Sequence, residues 1–380
     1  MSAPDVRLLQ AASATSSFDR FVVGPLLLSI AADFGVRLDV AAAVASAYFL
    51  CYGLSQPLWG RCSDLIGRVR TMRLTLAAAA VSGTVSAFVD DLTVLTVARA
   101  LTGACMAAVV PAGLVYVGDA VPFALRQRVL TDLNAATALG ITAATGLGGV
   151  LAAAVSWRAG FLVPAVAAAV LVVLLPRLPE PERAAGTPGG VLVVLRSRWG
   201  RVVLSLALVE GAALLGLITY LAPALESEGV SAARAGGVVA LYGVGLLLAS
   251  RVVKRRAGRT SAPAFLAVGA SGLAVAYALV AVSRSPVVVG LAALVLGAAW
   301  ASMHSTMQAW ATEAVPGARA ATVSLFAGAL FVGSGAATAF LAPLAGDLRW
   351  APLFAAGVVL AGLFGAGAVA GRSVYARTLV

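Results

Sequence analysis

Residues 159–176 read Ala-Gly-Phe-Leu-Val-Pro-Ala-Val-Ala-Ala-Ala-Val-Leu-Val-Val-Leu-Leu-Pro, and residues 177–190 continue Arg-Leu-Pro-Glu-Pro-Glu-Arg-Ala-Ala-Gly-Thr-Pro-Gly-Gly. The first stretch carries no charge and, as a helix, comes close to crossing a ~30 Å hydrocarbon core. In the second, prolines and glycines recur too often for a helix to persist, which predicts a linker. Working outward in both directions, apolar runs of about 18–27 residues, each enough to span, recur at 12–33, 40–59, 71–89, 93–118, 129–155 and 159–176. After the linker they continue at 201–224, 233–250, 262–282, 286–311, 320–345 and 351–370. The expected fold class is therefore an all-α integral membrane protein. It has twelve transmembrane helices in two six-helix bundles, residues 1–176 and 201–380, joined by a linker at 177–200.

The composition agrees. The 380 residues are 61% hydrophobic and 11% charged, with mean hydropathy +0.98, whereas soluble domains carry roughly 25% charged residues. Long unbroken apolar runs exclude a β-barrel, whose strands alternate. The first run is too long for a signal peptide's apolar region and lacks its small-residue cleavage site.

The net charge of +11 invites a nucleic-acid reading, which its distribution rejects. With the N-terminus in the cytoplasm, 20 of the 27 basic residues lie on that side, Arg183 among them, and only Arg37, Arg158, Arg234, Arg284 and Arg349 lie opposite. This bias is the positive-inside rule, and it predicts an inner (plasma) membrane protein with both termini cytoplasmic. The basic excess meets anionic lipid headgroups. Cys51, Cys62 and Cys105 suggest no disulfide framework.

The halves echo each other. Trp157-Arg158 recurs as Arg349-Trp350, each followed by a Phe (Phe161, Phe354). Asp119-Ala-Val-Pro122 recurs as Glu313-Ala-Val-Pro316, Gly67-Arg68 as Gly258-Arg259, and Asp19 is answered by Glu210. The offsets, 191 to 194 residues, agree on one duplication. Parallel six-helix repeats around a central site are a transporter plan.

After the second run, the chain reads Gly60-Arg-Cys-Ser-Asp64-Leu-Ile-Gly67-Arg68-Val-Arg70. This resembles the signature loop of the major facilitator superfamily, Gly-x-x-x-Asp-x-x-Gly-Arg-x-Arg/Lys, and the resemblance implies that Gly60, Asp64, Gly67, Arg68 and Arg70 act as a conformational latch. Arg99-Ala-Leu-Thr-Gly103 is similar to the Arg-x-x-x-Gly pattern of the drug:proton antiporter-like branch. Gly140 with Ala144-Thr145-Gly-Leu-Gly148-Gly149 is similar to the exporter motif Gly-Pro-x-x-Gly-Gly, with Thr145 where the family has Pro.

That architecture implies that helices one, four, seven and ten line a central cavity. The mid-membrane ionisable residues fall on those four helices: Asp19 and Arg20, Arg99, Glu210, and His304. Intramembrane charge is costly, so each asks for a reason. Asp19, Glu210 and Arg99 are the proton-coupling candidates, since a buried carboxyl can be tuned between desolvation and a nearby cation. The alternatives are a salt bridge from Asp19 to Arg20 or Arg99 that fixes packing, and a protonated core acid at Glu210. His304 shares a helical face with Trp300 and Gln308, and Tyr48, Tyr52 and Gln56 form a similar stripe. Arg20, Tyr48, Tyr52, Trp300, His304 and Gln308 are the expected substrate-cavity residues, and interhelical packing is the competing account of both stripes.

The only histidine cannot build a histidine-cluster metal site, and no Gly-Lys-Ser/Thr loop provides for ATP. No cofactor and no metal is expected, and no nucleophile–base set suggests an enzyme. The function expected is secondary active transport: proton-coupled efflux of a small hydrophobic or amphipathic compound by a monomer with small-molecule substrate, protons and membrane lipids as partners. A uniporter or importer, or a lipid flippase, on the same fold is the alternative, with a membrane enzyme or sensor further off.

Overall fold

The computed structural model describes residues 6–181 and 190–378; Arg183 and the Pro/Gly-rich middle of the expected linker lie outside them. Among the described residues, ten helices are long and apolar enough to cross a membrane. They are α2 (Leu38–Ile66), α4 (Leu92–Ala120), α5 (Phe123–Ala154), α6 (Trp157–Arg177) and α7 (Arg198–Glu226), then α8 (Ala232–Arg256), α9 (Ala262–Val282), α10 (Pro286–Ala314), α11 (Pro316–Gly346) and α12 (Trp350–Arg377). Two more complete the expected twelve. α1 runs as Arg7–Phe21, a 3-10 turn and Leu27–Asp33, and α3 is Arg68–Phe88. Their lower hydropathy has a visible cause. α1 carries Ser13, Thr15, Ser16, Ser17, Asp19 and Arg20, all buried, and α3 opens on Arg68, Arg70 and Arg73.

The outward faces are apolar. Leu54, Val81, Phe88 and Phe340 are all well exposed, which is stable only where the solvent is lipid. Neighbour relations repeat between the halves: α1 packs on α5 as α7 on α11, α2 on α4 as α8 on α10, and α3 on α6 as α9 on α12. The duplication seen in sequence is thus a duplication of packing. Two seams join the halves, α2 against α11 and α5 against α8. The repeat exchanges one seam for the other.

The seams are built on small residues. At Gly149 and Gly236 the α5 and α8 backbones approach so closely that a Cβ on either would overlap a carbonyl oxygen, of Ala232 or Thr145 respectively. Small residues are what let membrane helices approach like this.

Two expected boundaries shift. The signature segment is not a loop of some ten residues. α2 continues to Ile66 and α3 starts at Arg68, so Gly67 makes the turn alone at φ 109°. No L side chain adopts that φ comfortably, and a Cβ there would also strike the Glu180 carboxylate, 2.6 Å away. Glu180 accepts from the backbone N–H of Val69 and Arg70, both at 3.1 Å. This is a carboxylate on the N-terminus of α3, where the helix dipole favours it, and it ties the chain after α6 to that turn. Similarly, the segment expected as linker holds a short helix, Val191–Arg196, and α7 begins at Arg198, capped by Ser197.

Candidate functional site

Three of the four expected cavity helices are interrupted. α1 passes through the 3-10 turn Gly24–Leu26 beside Pro25, and α4 turns between Met106 and Val109. α7 widens into a π-helix over Ala212–Gly216 and turns again before Leu221. Each interruption frees carbonyls, which cannot stay unpaired in a bilayer. In α4 the Ala104 carbonyl accepts from Ser55 Oγ (3.0 Å) and Trp59 Nε1, and the Met106 carbonyl from Ser16 Oγ (3.2 Å). In α7 the Gly211 carbonyl accepts from Ser334 Oγ (3.2 Å) and the Leu214 carbonyl from the Tyr277 hydroxyl (3.3 Å). π segments often mark functional sites, and this one begins two residues after Glu210.

Asp19 and Arg99 meet across α1 and α4 in a bidentate pair, Nη1–Oδ1 2.9 Å and Nη2–Oδ2 3.0 Å, while Nη2 also donates to the Asp19 carbonyl at 3.1 Å. Both side chains are fully buried, and the guanidinium lies over the rings of Tyr48 (4.7 Å) and Phe161 (4.4 Å). The geometry fills both carboxylate oxygens, which suits a fixed brace.

Glu210 is held differently. It is completely buried, and its Oε1 lies 2.9 Å from His304 Nδ1 on α10. Its Oε2 has no partner. His304 stacks on Trp300 at 3.9 Å and 12°, packs near Phe326, and keeps 17% of its side chain accessible. Glu210 has no basic neighbour in sequence, so this partner was not foreseen; the signal available was only that the sole histidine lies on the fourth helix of the same half. The expected Trp300–His304 stripe is present, and Gln308 continues it as an exposed residue.

Arg20 is buried, donates to the Tyr52 hydroxyl and to Ser17 Oγ (both 3.2 Å), and lies over the rings of Phe21, Tyr52 and Phe331. Tyr48 and Tyr52 stack at 6.1 Å, and Gln56 is buried beside that face. The α5 residues serve contact: Gly140 lies against Ala14, Gly148 against Val22 and Pro25, and Thr145 bonds back to the Ile141 carbonyl at 3.1 Å. In the signature segment Arg68 bridges Asp64 and Asp119, the latter at 3.1 Å. All three belong to the N-terminal half. Gly60 faces Ser324 of α11, and Arg70 donates its backbone N–H to Glu180.

On the side away from the chain termini the halves are shut. The breaks of α1 and α7 meet where Gly24 faces the Thr219 backbone, and Arg37 reaches from before α2 to Asp347 after α11 at 2.6 Å, also bonding Asp39 at 3.2 Å. Removing this exposed bridge is expected to loosen the closure modestly. Asp347→Asn should raise the labelling rate of Thr219→Cys by an impermeant maleimide about twofold, as should high salt, because exposed pairs are weak and screened. An unchanged rate would show that the bridge does not hold that side shut.

A family model described as Major Facilitator Superfamily matches residues 11–339. The chain belongs to that superfamily. It is a facilitator, a multi-pass membrane transporter and not an enzyme. A triacylglyceride transporter of Mycolicibacterium smegmatis is 30% identical over 190 residues, covering 47% of this chain and 34% of the relative. The efflux pump apf11 of Gibberella fujikuroi is 28% identical over 238 residues, covering 60% and 41%. This facilitator thus spans less than half the length of these curated relatives. Among solved structures, a D-xylose–proton symporter superposes with TM-score 0.75 at 15% identity, covering 96% of this chain and 95% of the symporter. A bacterial homologue of the human lysosomal transporter Spinster gives 0.75 at 16%, covering 98% and 97%. At such identities the likeness establishes the facilitator fold.

Proposed function

We propose that this facilitator exports a small hydrophobic or amphipathic compound in exchange for protons, with Glu210 and His304 as the group that takes up and releases the proton. The observation that carries this reading is the asymmetry of the two acid–base pairs. Asp19 has both oxygens bound by Arg99 and no accessible edge. Glu210 has a free, buried Oε2, and its partner His304 reaches accessible surface beside Trp300. A carboxylic acid and a neutral imidazole differ from a carboxylate and an imidazolium by moving one proton along a 2.9 Å contact, with no change in net charge. A second proton taken up from the accessible edge adds a charge to a desolvated site. Substrate docking on the Trp300–His304 face would then favour its release. The efflux pumps among the relatives support the outward direction.

In this reading residues 1–176 and 201–380 rock about the two seams, the signature segment bears on the cytoplasmic end, and both termini face the cytoplasm of an inner membrane, as the charge bias favours. The test is proton release in weakly buffered detergent when a dansyl-tagged decyl alcohol, which does not titrate near neutrality, is added to purified protein. Release in step with binding is the expected result. Binding with no proton movement would replace antiport by uniport on the same fold.

A further inference from the structure

Among the described residues, Arg20 is a membrane-embedded cation that the proton-exchange reading leaves unused. Arg99, on the neighbouring helix, is neutralised by Asp19 through two hydrogen bonds. Arg20 is 93% buried by its 7% exposure, yet among the described residues no carboxylate lies within ion-pair distance of it. Its Nε has no partner at all, and its Nη1 and Nη2 donate to the neutral oxygens of Tyr52 and Ser17. The nearest acids in sequence and site, Asp19 and Glu210, are committed to Arg99 and His304. A buried charge without a counter-ion is among the most expensive features a membrane protein can carry, and such residues mark binding sites and ion paths.

Arg20 also borders a cavity. Between the halves lies a cavity of about 20 Å³, room for about one water, walled by residues of α1, α2, α5, α7 and α8. Its wall contains no acid. The two threonines there, Thr145 and Thr219, donate back to their own helices, which leaves Arg20 as the free hydrogen-bond donor. The remaining wall is apolar, with Phe21, Phe49, Ile218 and Val239. Phe331 of the opposite half covers the guanidinium at 5.0 Å. Because the wall draws on both halves, the cavity must open and close as they part.

We infer that Arg20 receives the anionic group of an amphipathic substrate, a carboxylate, sulfate or phosphate, whose apolar body lies along the surrounding aromatic and aliphatic wall. The inference rests on the transport reading above and narrows its substrate class. The planar fork, already braced by Tyr52 and Ser17, suits an oxyanion, and Nε with an adjacent Nη supplies the two-point geometry that a lysine lacks.

The experiment uses full-length protein in phosphatidylcholine nanodiscs and three dansyl-decyl probes that differ only in the head: sulfonate, trimethylammonium and alcohol. Wild type is expected to bind the sulfonate about tenfold tighter than either twin. Arg20→Gln should abolish that preference while the protein stays monodisperse on size exclusion, which certifies the fold, and Arg20→Lys should retain part of it. A preference that survives Arg20→Gln, or a wild type that favours the ammonium twin, overturns the assignment. If added phosphatidate competes with the sulfonate, the anion comes from a lipid headgroup; if it does not, a free amphipath is the ligand. Both results support the site only with the Arg20 dependence. Proton release by the alcohol probe, followed in the same samples, separates the two claims. Anion preference without proton release sinks the coupled-exchange reading alone, and proton release without anion preference sinks only this one.

Discussion

Glu210→Gln is expected to stop pH-gradient-driven transport in proteoliposomes, by about 100-fold or more, the scale on which a positioned proton-transfer group acts, while substrate counterflow without a gradient persists. The amide matches the carboxyl in shape and can still meet His304 Nδ1 across the 2.9 Å contact, so packing of the buried position is kept. What it cannot do is change protonation. Substrate binding should therefore lose its pH dependence in the variant, and proton release on binding should vanish. Counterflow measures alternation of the substrate-loaded carrier, and gradient-driven flux measures coupling. If both fall together, Glu210 is needed for folding or for the motion itself. If neither falls, the proton travels elsewhere and the assignment to Glu210 fails.

The converse behaviour is expected at Asp19. Asp19→Asn leaves the Arg99 guanidinium, completely buried between Tyr48 and Phe161, without a counter-charge. Breaking one partner of a buried pair costs roughly 3–5 kcal/mol, a large share of a typical total stability of about 5–15 kcal/mol. The variant should yield little monodisperse protein after mild heating in detergent. Asp19→Asn combined with Arg99→Gln should recover much of the loss, because removing both charges removes the desolvation penalty along with the attraction. Arg99→Lys should rescue poorly, since a point charge cannot reproduce the two-point contact or the stacking. A stable Asp19→Asn protein that binds substrate but releases no proton would move the proton to Asp19.

Much of this architecture was legible in sequence because a bilayer leaves few options. Runs of sufficient length and hydropathy must be helices, and a repeat of about 192 residues must be a repeat of bundles. Less legible was anything that depends on which helix faces which. The polar residues of α1 form a single run in the sequence. In the structure its members part company: Ser16 serves a broken turn in α4, Ser17 steadies Arg20, and Asp19 engages Arg99. The Glu210–His304 contact joins residues 94 apart on different helices, and no local periodicity encodes that. The π segment of α7 is equally silent, since Ala212-Ala-Leu-Leu-Gly216 contains no breaker but a terminal glycine. Its loosened carbonyls accept hydrogen bonds from Ser334 on α11 and Tyr277 on α9. The signature segment shows the reverse case: a glycine is a natural turn residue wherever it stands, but Glu180, which makes Gly67 obligatory for a second reason, lies 113 positions later in the chain.

The glycine-lined seams also bear on rate. Where α5 meets α8, backbone rests on backbone at Gly149 and Gly236, with no room for a side chain between the helices at those two positions. Surfaces that meet in this way can pivot without waiting for rotamers to exchange, so friction along the seam is low. The pace of a transport cycle would then be set by breaking and remaking the polar contacts at its ends, such as Arg37 with Asp347, and a carrier built this way is throttled by its latches and not by its bearings.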